Sequence, residues 1–241
     1  MKILGLDSSG IVASVAVVED EILTAEYTVN YKKTHSQTLL PMLDEVAKMT
    51  ELDLDTVDAI AVAGGPGSFT GLRIGSATAK GLGLALKKPL ISVPTVEALA
   101  YNLYDTQGLI CPIMDARRNQ VYTGIYRFKD HRLETVEDQM AVPIEDLLAK
   151  LEQYGERVTF LGDGVPVFRK LIQEKLKAAF SFAPAHVNRQ RAAAVASLGL
   201  VYYEEGRYET AEEHVPDYLR VSQAERERAE REKVKKQEAA Q

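Results

Sequence analysis

Two aspartates close apolar runs and head polar turns. Asp7 follows Ile3-Leu4-Gly5-Leu6, and Asp115 follows Leu109-Ile110-Cys111-Pro112-Ile113-Met114. Carboxylates so placed hold Mg²⁺ in phosphate chemistry, usually through water, or else cap their own turns by accepting backbone N–H groups. Both readings are open for each. A glycine-rich loop, Gly65-Pro66-Gly67-Ser68-Phe69-Thr70-Gly71, joins an apolar run to a helical one, where backbone amides could bind an anion. It is not a Walker A loop, because no Lys-Ser/Thr pair follows its last glycine. It is not a dinucleotide fingerprint either, because the next strand ends Ser92-Val93-Pro94 without an acid for the ribose. A turn that only lets the helix pack tightly is the competing reading. Gly162-Asp163-Gly164 could admit an adenosine closely, a signal with little specificity by itself.

The four histidines, His35, His131, His186 and His214, form no i, i+3 or i, i+4 pair and no HExxH, so no local helical metal site is encoded. A site assembled from distant residues stays open. Cys111 lies in an apolar run, where a free thiol behaves as a small hydrophobe. There is no G-x-S-x-G elbow. No residue declares itself a nucleophile or base, on a chain otherwise laid out like an enzyme scaffold.

The elements that must position these residues fall into two cycles. Strands are expected at 2–7, 11–18 and 22–30, a helix at 36–49, a strand at 58–63, a helix at 70–86, a strand at 90–93 and a helix at 96–104 capped by Thr95. A second cycle has strands at 109–115, 121–128 and 133–142, a helix at 144–154, a strand at 158–161 and helices at 165–179 and 192–205. Strand–helix–strand steps with apolar strands imply parallel crossovers. The shared opening of apolar strand, Asp, polar turn and hairpin implies a repeat of architecture rather than of sequence.

Composition narrows the function classes. The chain has 241 residues, 46 % of them hydrophobic and 27 % charged, with a formal net charge of −6. Those are globular values, and the negative balance argues against a protein that grips nucleic acid through its own basic surface. A single cysteine excludes an internal disulfide. No apolar run approaches the ~20 residues of a membrane span. A cytoplasmic protein is expected. Residues 222–241 carry six basic and five acidic side chains, which reads as a solvated charged helix or a disordered tail.

The helix behind the glycine loop is unusual. Gly71, Gly75, Ala79 and Gly83 recur every four residues, with Ala77, Gly81 and Ala85 as a second row. An interior helical glycine costs roughly 0.5–1 kcal/mol relative to alanine, so close approach of another backbone must compensate. That backbone could be the chain's own sheet, its 36–49 helix, or a second protein chain.

Ile3-Leu4-Gly5-Leu6-Asp7-Ser8-Ser9, His35-Ser36, Gly65-Pro66-Gly67-Ser68-Phe69-Thr70-Gly71-Leu72-Arg73, Asp115-Ala116-Arg117 and Tyr218-Leu219-Arg220 together resemble the TsaB (YeaZ) family. These are bacterial accessory proteins of tRNA threonylcarbamoyladenosine synthesis. The resemblance spans about residues 1–221, is most specific at GPGSFTGLR, and leaves the tail outside. It implies an α/β, two-lobe fold like actin, the heat-shock ATPases and sugar kinases, built from a duplicated βββαβαβα unit. Residues 1–105 would form an N-terminal lobe with the dimerisation helices, and 106–221 a C-terminal lobe.

The same resemblance implies a non-catalytic subunit that supports the paralogue TsaD, with the ATPase TsaE as a third member. TsaD transfers threonylcarbamoyl to N6 of the adenosine beside the anticodon, in tRNAs reading codons that begin with A. Alone, the chain would form a homodimer, and its contact with tRNA would be indirect. The implied partner interface pairs Leu39, Leu43 and Val46 with Gly71, Gly75, Ala79 and Gly83, and Arg73 sits at its rim. Gly75→Leu or Ala79→Glu would then disrupt the complex without unfolding the chain. Asp7, Ser8, Asp115, Gly162 and Gly164 would mark a vestigial nucleotide site. No cofactor is expected, although the cleft could take ATP without catalytic effect. The catalytic paralogue carries a His-x-x-x-His metal pair where this chain has Thr95 and Leu99, neither of which can replace an imidazole ligand. The alternative is an ATPase or small-molecule kinase of the same fold, with Asp7 and Asp115 holding Mg²⁺.

Overall fold

The computed structural model describes residues 1–220. The first cycle runs β1 (Lys2–Asp7), β2 (Val12–Glu19), β3 (Ile22–Asn30), α1 (His35–Thr50), β4 (Ala59–Gly65), α2 (Phe69–Leu86), β5 (Leu90–Pro94) and α3 (Thr95–Tyr101). The second runs β6 (Leu109–Asp115), β7 (Gln120–Lys129), β8 (Arg132–Pro143), α4 (Ile144–Tyr154), β9 (Val158–Leu161), α5 (Gly164–Lys175), β10 (Phe180–Phe182) and α6 (Ala192–Glu204). The sheets are ordered β3-β2-β1-β4-β5 and β8-β7-β6-β9-β10, so the second repeats the first strand for strand. In each, the opening strand pairs antiparallel with its hairpin neighbour and parallel with the strand after the first helix.

β1 shows why its sequence does not alternate. Leu4 and Leu6 face α1 and α2 with Leu39, Leu43, Val46 and Ala79, while Ile3 faces the other side with Val195 and Ala196 of α6. A strand covered on both faces reads as a continuous apolar run.

Three expectations are corrected. The 165–179 helix stops at Lys175, because the Glu152 carboxylate of α4 accepts the backbone N–H groups of Lys177 and Ala178. The freed chain then adds β10 alongside β9. Thr95 does not cap α3; it is the first helical residue, fully buried, with its hydroxyl unpartnered, and α3 ends at Tyr101. The lobes are also not contiguous in sequence. α6 packs on β1, β2 and β4 of the first sheet, and residues 205–217 continue along that sheet's edge. The expected charged tail at 222–241 lies outside the described residues. Among the described residues, no helix is long and apolar enough to cross a membrane.

Candidate functional site

β1 delivers Asp7 into the interior, 1 % exposed, where its carboxylate accepts Ser9 N at 2.9 Å and Ser9 Oγ at 2.7 Å. Burial pushes this carboxyl up to about 6, against the pull of the two Ser9 bonds and of His35. His35 Nε2, at the start of α1, donates to Gly10 O at 2.8 Å. The turn so fixed receives the glycine loop: Ser68 N donates to Ser9 O at 2.7 Å, and Ser8 Oγ donates to Gly71 O at 2.9 Å. A Cβ on Gly67 would lie 2.4 Å from Ser9 O, and one on Gly71 would lie 2.1 Å from Ser8 O. These glycines are occupied by the chain's own backbone, which is the tight-turn reading. Gly71→Ala is therefore expected to lower stability by about 1–3 kcal/mol, measured by urea unfolding.

A cleft of about 630 Å³ opens between the lobes, lined by Ser9, Gly10, the Pro66–Phe69 loop, Asp115–Arg117, Asp163 and Asp217–Arg220. Asp115 repeats the role of Asp7, accepting the N–H of Arg117 two residues on at 2.9 Å. Asp163 accepts Asp115 N at 3.2 Å, and burial raises its carboxyl. The five residues expected at a nucleotide site are not brought together. Asp115 lines the cleft, whereas Asp7 and Ser8 lie behind the loop. Gly162 and Gly164 make room for Ile113 O, 2.2 and 2.9 Å from where their Cβ atoms would be, rather than for a ligand. Cys111 is buried, and its thiol is pushed up to about 12. Thr95 and Leu99 are core residues. Among the described residues, no group of three or more His, Cys, Asp or Glu is placed to hold a metal ion.

Seven of the eight expected interface residues face inward. Leu39, Leu43, Val46 and Ala79 belong to the core, and Gly71, Gly75 and Gly83 are buried against Ser8 and against Leu90 and Ala211. A Cβ on Gly75 would lie 2.6 Å from Ser8 Oγ, so Gly75→Leu and Ala79→Glu would damage the fold itself. Only Arg73 is exposed, and the row it heads, Ala77, Gly81 and Ala85, is exposed too. A Cβ on Gly81 would meet nothing within 4 Å.

The C-terminal Tyr218-Leu219-Arg220 segment supplies groups that motif reading did not place in a site. Tyr218 packs on Phe69 with ring centroids 4.8 Å apart, and the Arg73 guanidinium lies 4.0 Å over the Phe69 ring. Arg73 Nε donates to the Tyr218 hydroxyl at 3.4 Å. The signal available was an aromatic and an arginine in each of two segments some 145 residues apart, Phe69 with Arg73 and Tyr218 with Arg220, which no local periodicity links.

Comparison with known proteins agrees with this architecture. The family model described as "TsaD: tRNA N6-adenosine threonylcarbamoyltransferase" matches residues 23–228. The tRNA threonylcarbamoyladenosine biosynthesis protein TsaB of Bacillus subtilis is 36 % identical over 93 % of this chain and 96 % of its own length. That of Escherichia coli is 29 % identical over 91 % and 95 %. The solved structure of YeaZ from Pseudomonas aeruginosa superposes with a TM-score of 0.75 at 25 % identity, covering 90 % of this chain and 99 % of that one. With its two duplicated five-stranded sheets the chain has the α/β fold of the solved YeaZ structure. A backbone shared nearly end to end, together with the loop-and-helix unit that docks on the β1 turn, places this chain in the TsaB family of tRNA threonylcarbamoyladenosine biosynthesis proteins.

Proposed function

We propose that this chain is a non-catalytic cytoplasmic subunit of threonylcarbamoyl transfer to N6 of the adenosine beside the anticodon, in tRNAs reading codons that begin with A. It binds TsaD through the outer face of α1 and α2, works together with TsaE, and pairs with a second copy of itself when alone. Gly81 carries this reading. Each of Gly71, Gly75 and Gly83 abuts a group of its own chain, but the missing side chain of Gly81 has no use inside the molecule. A helical glycine with that cost and no internal return fits a backbone that another chain approaches closely. The same face carries Leu40 and Leu84, each 53 % exposed.

Two buried groups support the non-catalytic part of the reading. Asp7 spends its carboxylate on its own turn, and the Cys111 thiol is held protonated by burial. With a net charge of −6, phosphate binding falls to the partner rather than to this surface. The test is to mix the purified chain with TsaD, follow size by light scattering and measure threonylcarbamoyl transfer to tRNA with TsaE present. A defined heterodimer, with activity absent from either protein alone, is expected. No complex, together with ATP hydrolysis or phosphoryl transfer by the lone chain, would sink the proposal.

A further inference from the structure

Residues 205–220 have almost no regular structure, yet they are tied down along their length. Leu90, on the edge strand of the first sheet, exchanges backbone hydrogen bonds with Glu209, both at 2.9 Å. Lys80 Nζ donates to His214 O at 2.8 Å and to Glu212 O at 3.2 Å. Asp217 N donates to Gly64 O at 2.7 Å. All of these partners belong to the first lobe. The last four residues then reach across. Gln139 Nε2 of β8 donates to the Asp217 carboxylate at 2.6 Å, and Arg220 Nη1 donates to Ala116 O at 2.9 Å. Between those two bonds, Tyr218 stays packed on Phe69 at the start of α2, the two rings tilted by 38°.

The chain itself crosses between the lobes twice, through α3 and through residues 183–191. The two crossings are stapled together, since Asn102 Nδ2 donates to Val187 O at 3.2 Å and to Arg189 O at 2.7 Å. Neither crossing lines the cleft, whereas Asp217, Tyr218, Leu219 and Arg220 all do. The stapled crossings are thus a hinge side, and the four residues are a tie on the open side. We propose that Asp217–Arg220 is an inter-lobe latch: Tyr218 anchors it on the first lobe, Asp217 and Arg220 hold the second, and its release opens the cleft. Of its two holding bonds one is exposed and the other part-buried at the cleft wall, and neither belongs to a strand pairing, so they can break without unfolding either sheet.

Hydrogen exchange and small-angle scattering on the full chain test this. In the Gln139→Ala/Arg220→Ala double variant, the amides of Ala116–Gln120 should exchange roughly tenfold faster, as expected for loss of a charge-assisted bond. Amides of β1 and β6 should be unchanged, and the radius of gyration should rise. Tyr218→Ala, which removes the side chain that touches Phe69 and Arg73 of the first lobe, should speed the same second-lobe amides, while Tyr218→Phe, which keeps the ring contact with Phe69, should not. An unchanged radius in the double variant, or a Tyr218→Ala effect confined to residues 205–220 and the start of α2, would overturn the latch. An unaltered thermal midpoint separates release from unfolding.

Discussion

Gly81→Leu is expected to remove partner binding while leaving the fold intact or slightly firmer. The position is exposed, mid-helix and free of any neighbour within 4 Å, so leucine has room in the isolated chain. Removing a helical glycine gains roughly 0.5–1 kcal/mol. At a close helix crossing, the same side chain must push the two backbones apart. Truncating or blocking the centre of an interface typically costs 2 kcal/mol or more, which is about 30-fold in affinity. Ala77→Leu, one turn earlier on the same row, should act in the same direction. Gly75→Leu is the opposite control: its Cβ would lie 2.6 Å from Ser8 Oγ, so the midpoint of thermal unfolding should fall. Titration calorimetry against TsaD, paired with thermal melts, reads both effects. Wild-type affinity in Gly81→Leu would move the interface elsewhere.

The two small-residue rows also show what a sequence can and cannot say. At 100° per residue, a position on the 71–75–79–83 row and one two residues on lie about 200° apart around the helix. Both rows therefore look like faces for close approach. Nothing local decides which the sheet takes, and the structure gives the 71–75–79–83 row to the chain's own core. The β1, β6 and hairpin readings succeeded because apolar runs, closing acids and turn residues are local signals. β10 failed for the opposite reason. Leu176-Lys177-Ala178-Ala179 favours helix by propensity, and long-range contacts hold it otherwise: the Glu152 carboxylate accepts Lys177 N and Ala178 N, and Val158 N donates to Ala179 O at 2.8 Å. Duplication could have predicted β10, since the first sheet's fifth strand demands a counterpart. α6 returns to the first sheet on a buried apolar face, which its own apolar sequence shows without naming the sheet it covers, and residues 205–217 beyond it are held by backbone groups and single side chains, which leave no period to read. A closing Asp and a Gly-Asp-Gly turn are as useful to the chain's own backbone as to a ligand, so their presence in the sequence does not by itself make a nucleotide site.

Asp7→Asn should stabilise the protein near neutral pH and bring no gain, or a small loss, near pH 4. The carboxyl titrates at 3.8 when exposed and at about 6 in the folded protein, because burial disfavours its charge. The native state therefore holds the proton more tightly than the unfolded one. Stability is fullest below the exposed value and declines as pH climbs between the two, until both states are ionised. At about 1.4 kcal/mol per unit, the full span is about 3 kcal/mol. Asparagine keeps an acceptor oxygen for Ser9 N and Ser9 Oγ but carries no charge, so it escapes that decline. Its amide N–H groups need partners of their own, which reduces the expected gain at pH 7 to about 1–3 kcal/mol. Urea unfolding of both proteins at pH 4, 5, 6 and 7 isolates the residue, since every other carboxylate is common to the pair. The gap should widen with rising pH and saturate above 6. A gap that is constant across the series would show that Asp7 is not held against its charge. A widening gap would mean that the turn seating the glycine loop carries a buried charge at a cost to folding, and that asparagine would serve the fold better.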